Sequence, residues 1–191
     1  ETAKDLAKRY GVDIKKAEIA ALAHDIAKNL SSEQLLKIIE ANNITLSVDE
    51  KNTRELWHSI VGPIVARERF GIVDEEILSA IRWHTTGKEN MSSSDMSKLD
   101  KIIYLADMIE PSRDFSMVEE LRNDSKDDLD KAMLNALTYT IKYLLEKGCL
   151  IDVNTVKARN YLLYNPKPGF RLEAPRTVRP YPCHQAGLSG G

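Results

Sequence analysis

Between Ile19 and Ala27 the chain reads IAALAHDIA, an apolar run that only His24 and Asp25 interrupt. A helix of that composition cannot face water on every side, so it belongs in a core. Neighbouring residues point about 100° apart around a helix axis. Both polar side chains must therefore find partners inside, because a buried charge left alone costs several kcal/mol or more. A structural His–Asp pair bonded to neighbouring helices would meet that need. So would a divalent cation, which satisfies both at once.

Helical periodicity governs most of the chain. Ala3, Leu6, Ala7 and Tyr10 line one face of a helix that Gly11 stops, and Ile14 to Lys28 forms a second. Ser31 with Gln34 reads as a capping box, opening a third helix with Leu35, Leu36, Ile38 and Ile39 inward, which Asn42-Asn43 ends. Trp57 to Phe70 is another helix, where Pro63 is tolerable only near the first turn. Asp74 starts the next, placing Ile77, Ile81 and His84 on one side. Ser94 or Asp95 is expected to cap a helix with Leu99, Ile102, Ile103, Ala106 and Ile109, ending at Pro111. The longest helix spans 127 to 147 and closes at Gly148, and a last one runs from Asn154 to about Leu163. Strand-like alternation is sparse, so the expected class is all-α. Residues 123–130 read as a surface loop and helix start, Asp100 as a solvated charge, and Tyr139, Tyr143 and Leu144 as core or subunit contact.

Composition divides the chain in two. Residues 165–191 hold five of the seven prolines, four of the nine glycines and a single acid, Glu173, so they read as a flexible tail beyond a 1–164 domain. The formal net charge is -2, which gives no global positive field for nucleic acid. No apolar run is long enough to span a bilayer. Cys149 and Cys183 have neither framework-like nor zinc-like spacing, so a reducing cytoplasm is the expected setting.

Three of the four histidines sit in apolar helical neighbourhoods: His24, His58 beside Trp57, and His84 beside Trp83. The fourth, His184, is in the tail. Asp107 is the lone carboxylate within IIYLADMI. Imidazoles and carboxylates without thiolate suit manganese or iron. Bundles build metal sites from inward ligands on separate helices. His24, Asp25, His58, His84 and Asp107 are therefore the candidate ligands.

The segments HDIAK (24–28), WHSIVGP (57–63), IRWHTTGK (81–88) and LADMIEPSRDF (105–115) resemble the HD superfamily of phosphohydrolases, and more narrowly its YqeK family. The resemblance covers residues 1 to about 163. It implies an HD-domain helical bundle with a metal site between helices, two divalent ions (iron or manganese), and symmetrical hydrolysis of diadenosine tetraphosphate to two ADP. His24, Asp25 and Asp107 would hold one ion, and His58 and His84 the other, with Asp25 bridging. A homodimer is also implied. The superfamily pattern begins with a histidine on the helix before the HD pair. Residues 1–23 contain none, and the first helix opens already in phase at Glu1, so that ligand is expected upstream.

A polyphosphate needs cations and donors. Lys28, a turn past His24, points to the same mouth and is a candidate for both catalysis and substrate binding; a cation at a helix C-terminus is the alternative. Thr85 and Thr86, at the helix end after His84, offer hydroxyls, with Lys88 beyond them; a plain turn is the alternative. Arg113 has the planar fork for bidentate phosphate contact. Two competing expectations stay open: another HD-type nucleotidase or alarmone hydrolase, and a non-catalytic helical module with an incomplete metal site.

Overall fold

The structure, a computed structural model, describes residues 1–88 and 96–164. Among them are ten α-helices and no strand. They are α1 (Thr2–Tyr10), α2 (Ile14–Ala23), α3 (Ser32–Ala41), α4 (Val48–Asn52), α5 (Trp57–Phe70), α6 (Glu75–Trp83), α7 (Lys98–Ile109), α8 (Val118–Asp127), α9 (Leu129–Glu146) and α10 (Val153–Tyr164). A 3-10 turn, Arg54–Leu56, precedes α5. The tail at 165–191, with His184 in it, lies outside the described residues, as do positions 94 and 95.

Polar caps set six of the helix starts. Asp13, Asp74 and Asp128 each accept two backbone N–H groups at the heads of α2, α6 and α9. Ser31–Gln34, Ser47–Glu50 and Ser97–Asp100 form reciprocal capping boxes. The cap of α7 is thus Ser97, later than expected. Its partner Asp100 is 1% exposed rather than solvated, and burial raises its pKa against the hydrogen bonds from Ser97.

Helix α7 is the central rod. It packs on α1, α2, α6, α8 and α9 and buries Leu99, Ile102, Ile103, Leu105 and Ile109. A smaller apolar cluster, Leu35, Ile39, Leu46, Ile60, Val61 and Val65, joins α3 to α5. Ile26 touches both clusters, so the segment after α2 bridges them.

Several expectations are corrected. The second helix ends at Ala23, not Lys28. Beyond it the chain tightens into i→i+3 bonds, Ile26 N to Ala23 O, Lys28 N to Asp25 O and Leu30 N to Ala27 O. Nor is α2 buried all round, since Ile19 and Leu22 face out. Its alanines, Ala17, Ala20 and Ala23, form the inward face, where small side chains permit close approach. Leu36 is likewise exposed. Residues 118–127 are helical, and Asp124 is buried because Asn135 donates to it and Lys131 pairs with it. Tyr143 is exposed, stacked on Tyr139, which in turn stacks on Phe115.

Pro63 lies in the second turn of α5, not its first. Gly62 before it is where α5 meets α6: a Cβ there would stand 2.7 Å from Cγ2 of the fully buried Ile81. That methyl sits on a branched carbon and cannot swing aside. Gly62→Ala should therefore destabilise the fold by about 1–3 kcal/mol, the usual cost of overpacking. A denaturant melt checks this, and an unchanged midpoint would show that the two helices can part freely.

Candidate metal centre

The bridging segment delivers His24 and Asp25, α5 delivers His58, the end of α6 delivers His84, and α7 delivers Asp107. Each imidazole is fixed by its own backbone. Nδ1 of His24 donates to the Ala21 carbonyl (2.7 Å), that of His58 to Glu55 (2.6 Å) and that of His84 to Ile81 (2.8 Å). A carbonyl can only accept, so all three Nδ1 atoms carry the proton. In the neutral ring that leaves a lone pair on Nε2.

All three Nε2 atoms converge on Asp25. That of His24 is 3.4 Å from Oδ2, while those of His58 and His84 are 3.2 and 3.5 Å from Oδ1. Nε2 atoms of His58 and His84 stand 3.2 Å apart, and His24 Nε2 is 3.9 Å from Asp107 Oδ1. Asp25 Oδ1 is inaccessible to water and makes no hydrogen bond of good geometry. Lone pairs and carboxylate oxygens packed this closely repel unless a cation sits among them, either protons on the imidazoles or a metal ion. His24, Asp25 and His84 each supply a ligand atom within 4.8 Å of the others. Donors about 2.1 Å from one ion stand roughly 3.0–3.4 Å apart, so this donor set fits a metal.

The titration directions say the same. Burial opposes charge on Asp25, but His24, His58, His84 and Lys28 outweigh it and hold the carboxyl far below its usual range. Burial also opposes charge on His24, yet Asp25, the Ala21 carbonyl and Asp107 raise its pKa overall.

The expected phosphate-binding residues lie around this cluster. Lys28 reaches Asp25 Oδ2 at 2.6 Å from an exposed position. Arg113 grips Asp107 through its side chain (2.7 Å) and its carbonyl (3.0 Å). Neither threonine offers its hydroxyl proton. Thr85 donates to Ser59, and buried Thr86 donates to the Gly87 carbonyl. Gly87 itself has φ +73°, and a Cβ there would crowd Ala158 and Leu137, so this turn requires glycine. Lys88 acts electrostatically on Asp100.

A cavity of about 520 Å³ opens beside the cluster, with Lys28, Ser32, Arg54, Glu55, His58 and Thr85 in its wall. A larger one of about 700 Å³, between α1, α7 and α8, touches none of the five candidate ligands. Sequence reasoning passed over Arg54 and the part-buried Arg82–Glu50 ion pair (2.6 Å). Glu50 also accepts the Trp57 indole N–H on its carbonyl, locking the start of α5 that carries His58. The capping pattern Ser47-x-x-Glu50 was the available signal.

Residues 1–112 match the family model described as HD domain. The chain is similar to the symmetrical bis(5'-nucleosyl)-tetraphosphatase of Halalkalibacterium halodurans, 43% identical over 87% of this chain and 86% of that protein. A Bacillus subtilis protein of the same name is 39% identical over 85% of this chain and 84% of its own length. A crystal structure from Clostridium acetobutylicum, described as a predicted HD superfamily hydrolase involved in NAD metabolism, is 44% identical with TM-score 0.79, covering 85% of this chain and 84% of that one.

Proposed function

Because this chain belongs to the HD-domain family, in its YqeK branch of symmetrical bis(5'-nucleosyl)-tetraphosphatases, we propose that it hydrolyses diadenosine tetraphosphate with one water to two ADP in a metal-dependent reaction. The observation that carries this reading is the division of imidazoles between the two oxygens of Asp25. Oδ2 faces His24, and Oδ1 faces His58 and His84. That arrangement suits divalent ions, which His24, Asp25 and Asp107 on one side and His58 and His84 on the other would hold. All-nitrogen and oxygen ligation favours iron or manganese. When bound, such ions neutralise phosphate charge and supply hydroxide at neutral pH.

The chain's own groups do the rest. Backbone carbonyls one turn away aim each imidazole, so little reorganisation is needed on binding. Arg113 orients Asp107. Lys28, exposed beside Asp25, would meet phosphate oxygens, and with Arg54 it makes the neighbouring cavity receptive to a polyphosphate. Residues 1–164 constitute the hydrolase domain. Among the described residues no helix is long and apolar enough to cross a membrane. A free nucleotide met in the cytoplasm, by a homodimer, completes the reading.

Protein loaded with manganese or iron and incubated with diadenosine tetraphosphate should release ADP as the sole nucleotide product. AMP plus ATP would reject symmetrical cleavage, and the absence of product would reject the activity.

A further inference from the structure

Asp107 lies in the last turn of α7, where backbone carbonyls run out of partners within the helix. Pro111, four residues on, has no N–H to offer the Asp107 carbonyl. Two arginines take over. Arg113 donates to the Asp107 carbonyl and, through Nη2, to Oδ1 of its side chain, the oxygen that faces His24. Arg122, on α8, donates through Nε to the Ile109 carbonyl (3.1 Å) and through Nη2 to the carbonyls of Glu110 (2.9 Å) and Arg113 (3.1 Å). Its third nitrogen, Nη1, pairs with Glu119 one turn back. A single guanidinium thus gathers three carbonyls of the 109–113 turn, among them that of Arg113 itself.

We infer that Arg122 is a positioning residue for the metal centre: it fixes the turn that presents Arg113 to Asp107, and so keeps Asp107 directed toward His24. The inference rests on the metal-centre reading above. Oδ1 of Asp107 has lone pairs for both the Arg113 proton and a cation, so Arg113 can orient this ligand without blocking it. Arg113 is itself exposed, on a turn outside any helix, and its direction depends on how its backbone is anchored. Its N–H bonds the Glu110 carbonyl, and Arg122 clasps the carbonyls of both residues. Nη1 on Glu119 keeps the clasp from turning. Without Arg122 those carbonyls lose their shared donor, and Arg113 no longer has a fixed base from which to hold Asp107. Groups one step behind a metal ligand commonly set affinity by about tenfold to a hundredfold.

Chelator-stripped Arg122→Gln should bind manganese(II) about tenfold more weakly than the parent by calorimetry, with the same number of ions per chain. Arg122→Lys keeps the charge and can bring one nitrogen to two of the carbonyls, so it should recover part of that loss. Arg113→Ala should weaken binding to a similar extent. Adding Arg122→Gln to it should cost little more, because one residue acts through the other. Lys131→Gln breaks a different contact of α8, the pair with Asp124, and should leave the affinity as it is. Unchanged affinity in Arg122→Gln, or losses at 113 and 122 that multiply independently, overturns the positioning role. Equal weakening in Lys131→Gln would make Arg122 a general support of α8 and overturn it as well. So would fewer ions bound at parental affinity, the mark of a partly unfolded population. The two readings fail separately. A parent that binds manganese(II) no better than Arg122→Gln does loses only the positioning role. A parent that shows the whole pattern yet leaves diadenosine tetraphosphate intact loses only the hydrolase.

Discussion

Asp25→Ala should lower turnover of diadenosine tetraphosphate by about three orders of magnitude or more, while the helical circular dichroism stays close to that of the parent. The size of the loss follows from position. Asp25 is within 3.5 Å of all three imidazole Nε2 atoms and 2.6 Å of Lys28, so no other side chain among the described residues can span the same groups. Its removal also leaves Lys28 without the carboxylate it pairs with. The fold should tolerate the change because α2 already ends at Ala23, and Asp25 caps no helix. The carboxyl's depressed pKa does bear on stability. A lowered folded-state value contributes stability above the unfolded pKa near 3.9 and loses it as pH falls. Any cost of the alanine variant in metal-free protein should therefore shrink toward acid. Collapse of helicity would make Asp25 a structural residue, and retained turnover would remove it from the reaction.

Most of the helices were legible because they carry their own punctuation, whereas α4 and α8 were not expected. Capping serines and aspartates, together with Gly11, Gly71 and Gly148 in left-handed conformation, mark starts and stops within a residue or two. What pattern reading could not give was context. Continuous apolarity from Ile19 to Ala27 looked like burial on all sides, yet tertiary packing uses only the alanine face and leaves Leu22 in water. The charged 118–127 segment has a polar composition that hides its buried Asp124, whose partners Asn135 and Lys131 lie on the next helix. Long-range pairs of this kind leave no local signal. The same holds for Arg54, whose value comes from facing Lys28 across a cavity.

At the metal centre the sequence marked residue types and could not mark directions. A polar pair within apolar residues says that partners must exist. It does not say that three Nδ1 atoms each bond the carbonyl three residues back, nor that this turns every Nε2 toward one carboxylate. The threonines show the reverse case. As sequence they offer hydroxyl donors for phosphate, but the fold directs both protons inward.

Metal addition should raise the thermal midpoint of chelator-stripped protein, and this second effect is independent of turnover. A ligand that binds only the folded state at a concentration about 100 times its Kd adds about 2.7 kcal/mol of stability, hence roughly 5–10 °C for a chain of this size. The effect should be large here because the metal-free site holds unsatisfied groups, foremost Asp25 Oδ1. Elemental analysis of the loaded protein should give close to two ions per chain, and fewer than one would defeat a dinuclear centre. Protons compete for the same lone pairs, since a metal-binding imidazole must shed its Nε2 proton. His24 holds a proton more readily than an ordinary imidazole of pKa about 6.5. The metal-induced shift should accordingly diminish as pH falls, beginning above that value. His84→Ala should abolish most of the shift, because His84 is buried and its ring packs edge-on against both His24 and His58. Glu33→Gln, in an exposed pair with Lys37 on α3, should leave it unchanged. If the two variants respond to metal alike, the cation binds the surface at large, and the convergence of imidazoles on Asp25 has another cause.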